Sequence, residues 1–228
     1  SVDPVRDKEI IDCELQLKDL ETVENRIAKV QKQAQTGGDK NAKKLYDLLL
    51  KYKAALLEGK SCRTVKPENA EEEQMAKELY LLTNKPVMYV CNVDEASAKD
   101  GNEYVESVRK ATADEDAEIL IISAKIESDI AELESYEERQ MFLEEMGLEE
   151  SGVIRLIQSA YSLLNLRTYF TVGVEECRAW TINKGDKAPR AASVIHTDFE
   201  KGFIRAEVIK YEDFITLKSE AACRAAGK

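Results

Sequence analysis

The chain is poor in glycine, proline and histidine, and it lacks paired cysteines and long apolar runs. Its 228 residues include only ten glycines and four prolines while 34% are charged, a balance that favours long exposed helices over an all-β fold. A single histidine and five scattered cysteines, with no Cys-x-x-Cys pair, make a zinc site unexpected and predict reduced thiols. No apolar run approaches the roughly 20 residues of a membrane span. We therefore expect a cytoplasmic protein with no membrane contact.

The chain also lacks a positive overall charge, since its formal net charge is −11. General attraction to nucleic acid or to an anionic membrane is therefore not expected, and any contact with RNA has to come from a local basic patch. Hydrophobic residues make up 43% of the chain. That share can supply the core of one large domain or of two modest ones.

Apolar side chains recur every three or four residues along residues 7–58, which predicts two amphipathic helices. The first series is Cys13, Leu17, Leu20, Val23, Ile27, Val30 and Ala34, and the second is Ala42, Leu45, Leu49, Tyr52 and Leu56. Between them, Thr36-Gly37-Gly38-Asp39 supplies glycine to end one helix and Asp39 to cap the next. The pattern predicts an antiparallel helical hairpin.

The turn of this hairpin is locally basic. Asp39 is the one acid among six positive side chains, which are Arg26, Lys29, Lys32, Lys40, Lys43 and Lys44. Such a tip can contact the phosphates of ribosomal or other RNA, with an affinity that falls as salt rises. A solvated helix surface whose lysines only maintain solubility would carry the same residues. The sequence leaves both interpretations open.

Two short motifs follow predicted strands. The strand 86–91 runs into Asn92-Val93-Asp94-Glu95, and after a predicted helix at about 101–113 the strand 118–122 ends in Ser123-Ala124-Lys125. Apolar strands that alternate with helices predict a parallel sheet covered on both faces. Ligands bind such sheets at the carboxyl ends of the strands, where both motifs lie. Either motif alone is also typical of a turn without a ligand.

The order of these features resembles the YchF family, also called the Obg-like ATPases. The resemblance rests on the helical hairpin of residues 7–58, called the helical arm below, and on four later stretches: NKPVMYVCNVDE, ILIISAKIE, AWTI and VIHTDFEKGFIRAEVIKYEDF. It therefore covers essentially the whole chain. It implies an α/β fold, the C-terminal half of a GTPase-like P-loop NTPase domain with an inserted helical hairpin, followed by an α+β TGS domain of the β-grasp type. The expected limits are 1–6 and 61–165 for the nucleotide-binding domain, 7–60 for the hairpin and 166–228 for the TGS domain.

The resemblance further implies that the two motifs bind the base of ATP or GTP. The candidate residues are Asn92, Val93, Glu95, Ser123, Ala124 and Lys125. Most GTPases carry N-K-x-D, whose Asp accepts two hydrogen bonds from guanine. Here Val93 replaces the Lys, and Glu95 takes the fourth position, with Asp94 one residue earlier leaving the register open.

Adenine offers a donor beside an acceptor at its N6/N7 edge, and a single Asn amide can match both. We therefore expect Asn92 to bind that edge and Val93 to contact the ring. Ala124 is expected to offer its backbone N–H, and Lys125 to lay its alkyl stem on the base. This arrangement agrees with the relaxed or adenine-favouring specificity that the resemblance implies.

The chain contains no G-x-x-x-x-G-K-[ST] phosphate-binding loop and no D-x-x-G segment of the kind that holds Mg²⁺. In the family both lie before the helical arm, so we expect this chain to be part of a longer parent protein. Phosphoryl transfer depends on positioning the phosphates and the metal. The parent protein is therefore expected to be the ATPase or GTPase, with Mg²⁺, and no catalytic residue or metal ligand is assigned in this chain.

After a helix predicted at 150–166, the stretch RTYFTVGVEECRAWTI alternates apolar and polar residues around 173–176, which predicts a β-hairpin. Pro189 suits the first turn of a short helix through Ile195, and 203–209 is a predicted strand. The resemblance assigns these elements to a TGS domain, an RNA- or regulator-binding module, expected here to lack part of its sheet. Its mixed charges favour an ordinary surface over an RNA-binding one, and Trp180 is expected in the core.

The leading hypothesis is thus part of an ATP- or GTP-binding hydrolase of the YchF type that acts as a ribosome- or RNA-associated switch. The alternative is a non-enzymatic scaffold that binds RNA or protein through the helical arm and the TGS module. A coiled-coil adaptor is a third possibility, supported by the arm only. The sequence predicts no oligomeric state.

Overall fold

The computed structural model describes residues 2–36, 39–115, 117–173 and 175–228, and the chain divides into two compact units between Leu163 and Leu164. The helices are α1 (Pro4–Gln35), α2 (Lys40–Leu57), α3 (Ala70–Glu78), α4 (Glu103–Ala111), α5 (Ala124–Glu132), α6 (Tyr136–Glu145), α7 (Gly152–Leu163), α8 (Ala188–Ala192), α9 (Asp198–Gly202), α10 (Tyr211–Leu217) and α11 (Glu220–Ala225). The strands are β1 (Met88–Asn92), β2 (Glu118–Ile122), β3 (Leu166–Val172) and β4 (Cys177–Asn183). Within these ranges, no helix combines the length and the apolar character needed to cross a membrane.

The two longest helices form the hairpin that the apolar spacing predicts. Asp39 caps α2, because its carboxylate accepts hydrogen bonds from the backbone N–H groups of Asn41 at 2.9 Å and Ala42 at 3.1 Å. The helices share one buried cluster made by Val23, Val30, Leu48, Leu49, Tyr52 and Leu56. The predicted glycine turn at 37–38 lies outside the described residues.

The prediction that the first apolar series is buried is wrong at the N-terminal end of the series. Leu17 is 61% exposed and Cys13 is also exposed, whereas Asp19 is only 2% exposed. The Asp19 carboxylate accepts hydrogen bonds from the backbone N–H of Leu82 at 2.8 Å, and from both the N–H and the hydroxyl of Thr83 at 2.7 Å. The buried face of α1 is therefore set here by a polar contact with the turn before β1, and Leu17 is left in solvent.

β1 and β2 pair in parallel, as predicted, with Met88 opposite Glu118 and Asn92 opposite Ile122. β1 begins later than the predicted 86–91 and includes Asn92; Pro86 has no N–H to donate to a ladder. The connecting helix α4 buries Val105 and Val108, and β2 buries Leu120 and Ile121. A second buried cluster joins Ala98, Ile126 and Ile130 to Leu143 of α6. The first unit is thus a mixed α/β structure.

The second unit contains the predicted β-hairpin, in which Tyr169 lies opposite Trp180. Trp180 is half-buried and not in a core. Its indole N–H donates to Thr171 Oγ1 at 2.9 Å, and the Arg178 guanidinium lies 4.3 Å from its ring centroid. Helix α8 has Pro189 in its first turn, as predicted, but ends three residues before Ile195.

The predicted strand at 203–209 is wrong. Residues 203–210 make no ladder with any described strand, and Ile204 is 91% exposed. An alternating apolar sequence becomes a strand only where a neighbouring edge accepts its backbone hydrogen bonds. The described part of the second unit holds one two-stranded sheet, β3 with β4, and this segment does not join it.

Candidate nucleotide-base site

The two strand-end motifs meet at the carboxyl edge of the β1–β2 pair. Asn92 Oδ1 accepts a hydrogen bond from the backbone N–H of Ala124 at 3.0 Å, across 32 residues of sequence. One residue further on, the N–H of Val93 donates to the carbonyl of Ile122 at 2.9 Å and extends the ladder beyond β1. Parallel strands that run in register end at the same edge, and this brings the motifs into contact.

The hydrogen bond to Ala124 fixes how the Asn92 amide faces. With Oδ1 on that N–H, the Nδ2 group retains two N–H donors for other partners, and Asn92 is an exposed residue. The N–H of Ala124, expected to be offered to a base, is satisfied by Asn92 in this structure. Reading both atoms of a base edge with the same amide would require Oδ1 to accept a second hydrogen bond through its other lone pair.

Asp94 and Glu95, the two residues that compete for the acidic position, have different surroundings. The Asp94 carboxylate caps the short turn 95–97 by accepting the N–H of Ser97 at 2.9 Å. Glu95 is exposed, and its charge helps to raise the pKa of Lys125, although the hydrogen bond from Lys125 to Asp129 is the main cause of that rise. The Lys125 ammonium is therefore held along α5, and Glu95 is the acid left at the site.

Ser123 connects β2 to α5 and is 2% exposed. Its carbonyl accepts the N–H of Glu127 at 3.0 Å. Its Oγ makes no capping hydrogen bond and has no partner among the described residues. Buried hydroxyl groups are normally paired, and an unpaired one costs about 1–3 kcal/mol. Ser123 is thus an unpaired hydroxyl directly before Ala124, and its Oγ is closed off from solvent in this structure.

Helix α7 supports the end of β2. The Glu127 carboxylate accepts the first backbone N–H of α7, that of Gly152, at 2.6 Å. The Arg155 guanidinium donates to the carbonyl of Ile121 at 2.8 Å. A Cβ atom on Gly152 would lie 2.9 Å from Cγ2 of Ile122, so the absence of a side chain allows this close packing. These contacts hold in place the strand end that precedes Ser123.

A half-buried polar cluster attaches β1 to the base of α1. Lys8 Nζ lies 2.8 Å from the Glu115 carboxylate and 2.7 Å from that of Asp12. The Tyr89 hydroxyl donates to Glu115 at 2.8 Å, and Arg63 lies 3.4 Å from the same carboxylate. Burial raises the pKa of Glu115, but the hydrogen bonds from Lys8 and Tyr89 outweigh that effect and leave the pKa lowered. Glu115 therefore joins the arm helix to the strand that ends in Asn92.

Sequence reasoning missed Asp19, Glu115 and Glu127, because each is one acid among 44 in the chain. Only Asp19 carried a usable signal. It lies four residues before Val23, so at helical spacing it falls on the buried face of α1. The other two depend on partners 107 and 25 residues away, such as Lys8 and Gly152.

The six basic residues predicted for the arm tip are all exposed. Lys44 forms an ion pair with Glu71 in the first turn of α3. No ion pair within the described ranges joins the other five to an acid; these are Arg26, Lys29, Lys32, Lys40 and Lys43. The described residues also contain no group of three or more His, Cys, Asp or Glu side chains that could hold a metal ion.

Comparison with known proteins gives consistent matches. A family model described as "YchF-GTPase_C: Protein of unknown function (DUF933)" matches residues 166–228. The chain is 51% identical over its whole length to the ribosome-binding ATPase YchF of Bacillus subtilis, of which it covers 62%. It is 43% identical, again over its whole length, to Obg-like ATPase 1 of Gallus gallus, of which it covers 58%.

A solved structure, that of the Schizosaccharomyces pombe YchF GTPase, superposes with a TM-score of 0.85 at 36% identity, covering all of this chain and 61% of that one. The chain therefore spans about three fifths of the length of the relatives it matches. The sequence similarity extends over the whole of this chain, and its fold matches that of the solved structure over the same residues. Over its whole length the chain is homologous to YchF and to Obg-like ATPase 1, and residues 166–228 match the YchF C-terminal family model.

Proposed function

We propose that this chain supplies the base-binding part of a ribosome-associated nucleotide switch, within a longer cytoplasmic protein that hydrolyses ATP with Mg²⁺. The observation that carries the proposal is the hydrogen bond between Asn92 Oδ1 and the Ala124 N–H, which joins the two motifs at one strand edge. The printed names of the relatives, a ribosome-binding ATPase and an Obg-like ATPase, support the same function. Hydrolysis is proposed for the longer protein because this chain has no phosphate-binding motif.

A specific part in base binding is proposed for Asn92. Its Oδ1 holds the two loops together, and its Nδ2 group donates a hydrogen bond to N7 of the purine. N7 is an acceptor in both adenine and guanine, so this contact binds a purine without choosing between the two. Val93, next along the chain, contributes an apolar contact with the ring.

The choice of adenine follows from the partner of Ala124. Guanine O6 is an acceptor and needs a donor from the protein, whereas adenine presents an amino group at that position. The Ala124 N–H is already used by Asn92, so it is not available to guanine O6 unless the loops separate. Adenine is not affected in this way, because its amino group is a donor and does not need the Ala124 N–H. Glu95 remains as an acid that guanine N1–H can use, so GTP is bound more weakly and is not excluded.

Two substitutions of Asn92 test this function in the full-length protein. Asn92→Asp keeps an oxygen for the Ala124 N–H and removes the donor to N7, whereas Asn92→Ala removes both contacts. We expect each to weaken ATP binding by about tenfold or more in calorimetry, the loss of one hydrogen bond. Only Asn92→Ala should also lower the midpoint of thermal unfolding, because it releases the two loops. Unchanged ATP affinity in both variants would remove Asn92 from the site.

The exposed basic tip of the arm is the proposed contact with ribosomal RNA, and the second unit is proposed to be a TGS module that also binds RNA. Five tip cations are not paired with an acid in the described structure, which leaves them available to phosphates. In the second unit, Arg178 over Trp180 provides a planar cationic surface of the kind that stacks on bases. If the chain is instead a non-enzymatic scaffold, these contacts with RNA remain and RNA binding does not depend on nucleotide.

A further inference from the structure

Helix α6 is firmly seated on the protein. Its first turn is closed by a reciprocal capping pair, in which Ser135 Oγ accepts the N–H of Glu138 at 3.1 Å and the Glu138 carboxylate accepts the N–H of Ser135 at 3.1 Å. Leu143 is 3% exposed and packs with Ile126 and Ile130 of α5. The outer surface of α6 therefore has a defined shape.

An open groove lies on this outer surface, beside the C-terminal end of α5. It has a volume of about 640 Å³ and is lined by Leu133, Glu138, Met141, Phe142, Glu144 and Glu145. Met141 is 70% exposed, and Leu133 and Phe142 are half-buried. Exposed apolar side chains surrounded by polar ones are typical of an interaction surface, and methionine adapts to the shape of a partner.

The groove is also the most acidic part of the chain. Residues 132–150 contain eight glutamates and one arginine, a net charge of −7 in a chain whose total is −11. The single arginine offsets only one of the eight glutamate charges, and its guanidinium is held at the carbonyl of Leu133 at 2.8 and 3.0 Å. The rim formed by the exposed Glu138, Glu144 and Glu145 therefore keeps a net negative charge.

We propose that this groove, formed by Leu133, Glu138, Met141, Phe142, Glu144 and Glu145, docks a basic amphipathic helix of a protein partner. Glu138, Met141, Phe142 and Glu145 share one face of α6, at i, i+3, i+4 and i+7. An incoming helix buries its apolar side chains on Met141 and Phe142, and its lysines or arginines meet the glutamates. Charge decides the class of partner, because RNA, an anionic membrane and a second copy of this acidic chain are all repelled from the rim.

The test is fluorescence anisotropy with a labelled, helix-forming peptide of leucine and lysine, about 14 residues or four turns long. Met141→Ser removes the apolar contact, and the pair Glu144→Gln with Glu145→Gln removes two rim charges. The matched control is Glu9→Gln with Glu14→Gln, which removes the same charge from exposed positions on α1. We expect both groove variants to bind the peptide about tenfold more weakly and the control to stay within about twofold.

A second peptide, with serine in place of leucine, separates docking from diffuse attraction, and we expect it to bind all forms equally weakly. All substituted side chains are exposed, so unchanged circular dichroism is expected for every variant. The proposal is overturned if Met141→Ser binds the leucine peptide as the unmodified protein does, or if the α1 control loses as much affinity as the rim variant. An oligoribonucleotide that displaces the peptide, or self-association that Met141→Ser abolishes, would assign the face to RNA or to a second copy and would also overturn it.

Discussion

Asp19 of α1 and Thr83 of the turn before β1 are joined by two hydrogen bonds, since the backbone N–H and the hydroxyl of Thr83 both donate to the Asp19 carboxylate at 2.7 Å. The Thr83 hydroxyl in turn accepts the N–H of Cys62 at 3.0 Å. All three residues are buried. This contact anchors α1 to the segment that leads into β1.

Asp19→Ala should therefore be among the most destabilising substitutions of a polar residue in the arm. It leaves two backbone N–H groups and one hydroxyl near the turn without an acceptor, and we expect a loss of about 3 kcal/mol or more in the free energy of unfolding. Urea unfolding followed by circular dichroism measures it. Asp47→Ala, at an exposed position on α2, is the control and should stay within about 0.5 kcal/mol. Equal effects for the two would mean that Asp19 has no anchoring role.

Glu115→Gln tests the polar cluster that joins α1 to β1. The pKa of Glu115 is lowered in the folded protein, so the ionised carboxylate stabilises the fold above its ordinary pKa and this contribution is lost as pH falls through the lowered value. We expect the variant to be about 1–2 kcal/mol less stable at pH 7, between the values for exposed and buried ion pairs.

The direction of the pKa shift of Glu115 also sets how the difference in stability between the two proteins depends on pH. The pKa of Lys8 is raised, so its own contribution is lost only in strongly alkaline solution and does not change in acid. The unfolding free energies of the unmodified protein and of Glu115→Gln should thus converge as pH falls below about 4, the ordinary pKa of Glu. A difference that stays constant from pH 7 to pH 3 would show that Glu115 acts through its shape alone.

Gly152→Ala tests how closely α7 approaches β2. The added Cβ would lie 2.9 Å from Cγ2 of Ile122 and 3.0 Å from Oε1 of Glu127, so the helix has to shift. We expect a loss of about 1–3 kcal/mol, the usual cost of overpacking, measured as a lower midpoint of thermal unfolding. Gly202→Ala is the control, because nothing lies within 4 Å of the position of its Cβ. If Gly152→Ala is as stable as Gly202→Ala, α7 is not tightly held against β2.

Charge reversal at the arm tip tests ribosome docking. We choose Lys40→Glu with Lys43→Glu and leave Lys44 unchanged, because Lys44 is already paired with Glu71. The double variant should co-sediment with ribosomes about tenfold more weakly and show a smaller dependence on salt. Lys66→Glu with Lys85→Glu changes the net charge equally at exposed positions outside the arm and should have little effect. An equal loss in both pairs would point to general repulsion and away from a contact at the tip.

Comparison of predicted and observed burial at particular residues shows which features a local sequence pattern can predict. Val23 and Val30 were correctly placed on the buried face of α1, because helical spacing is a property of the backbone alone. Leu17 followed the same spacing and is exposed, because the polar turn at Leu82 and Thr83 occupies the neighbouring position. At 203–209 the alternation was that of a strand, yet no described neighbour accepts its hydrogen bonds.

The candidate site divides in the same way. The position of Asn92 and Ala124 at the carboxyl ends of adjacent strands follows from the alternation of strands and helices, so the meeting of the two motifs was predictable. The use of the Ala124 N–H by Asn92, the unpaired Oγ of Ser123 and the capping role of Asp94 were not. Each depends on which of several donors and acceptors lie within about 3 Å after packing.

The helical hairpin, the cap at Asp39, the parallel pairing of β1 with β2 and the resemblance to the YchF family were all predictable, because they depend on the order and spacing of residues along the chain. The burial of Asp19, the contacts of Glu115 with Lys8 and Tyr89, and the use of the Ala124 donor by Asn92 emerge from the folded chain and could not be predicted. Hydrogen bonds act over only a few ångströms. Their partners are therefore chosen by the packing of distant segments.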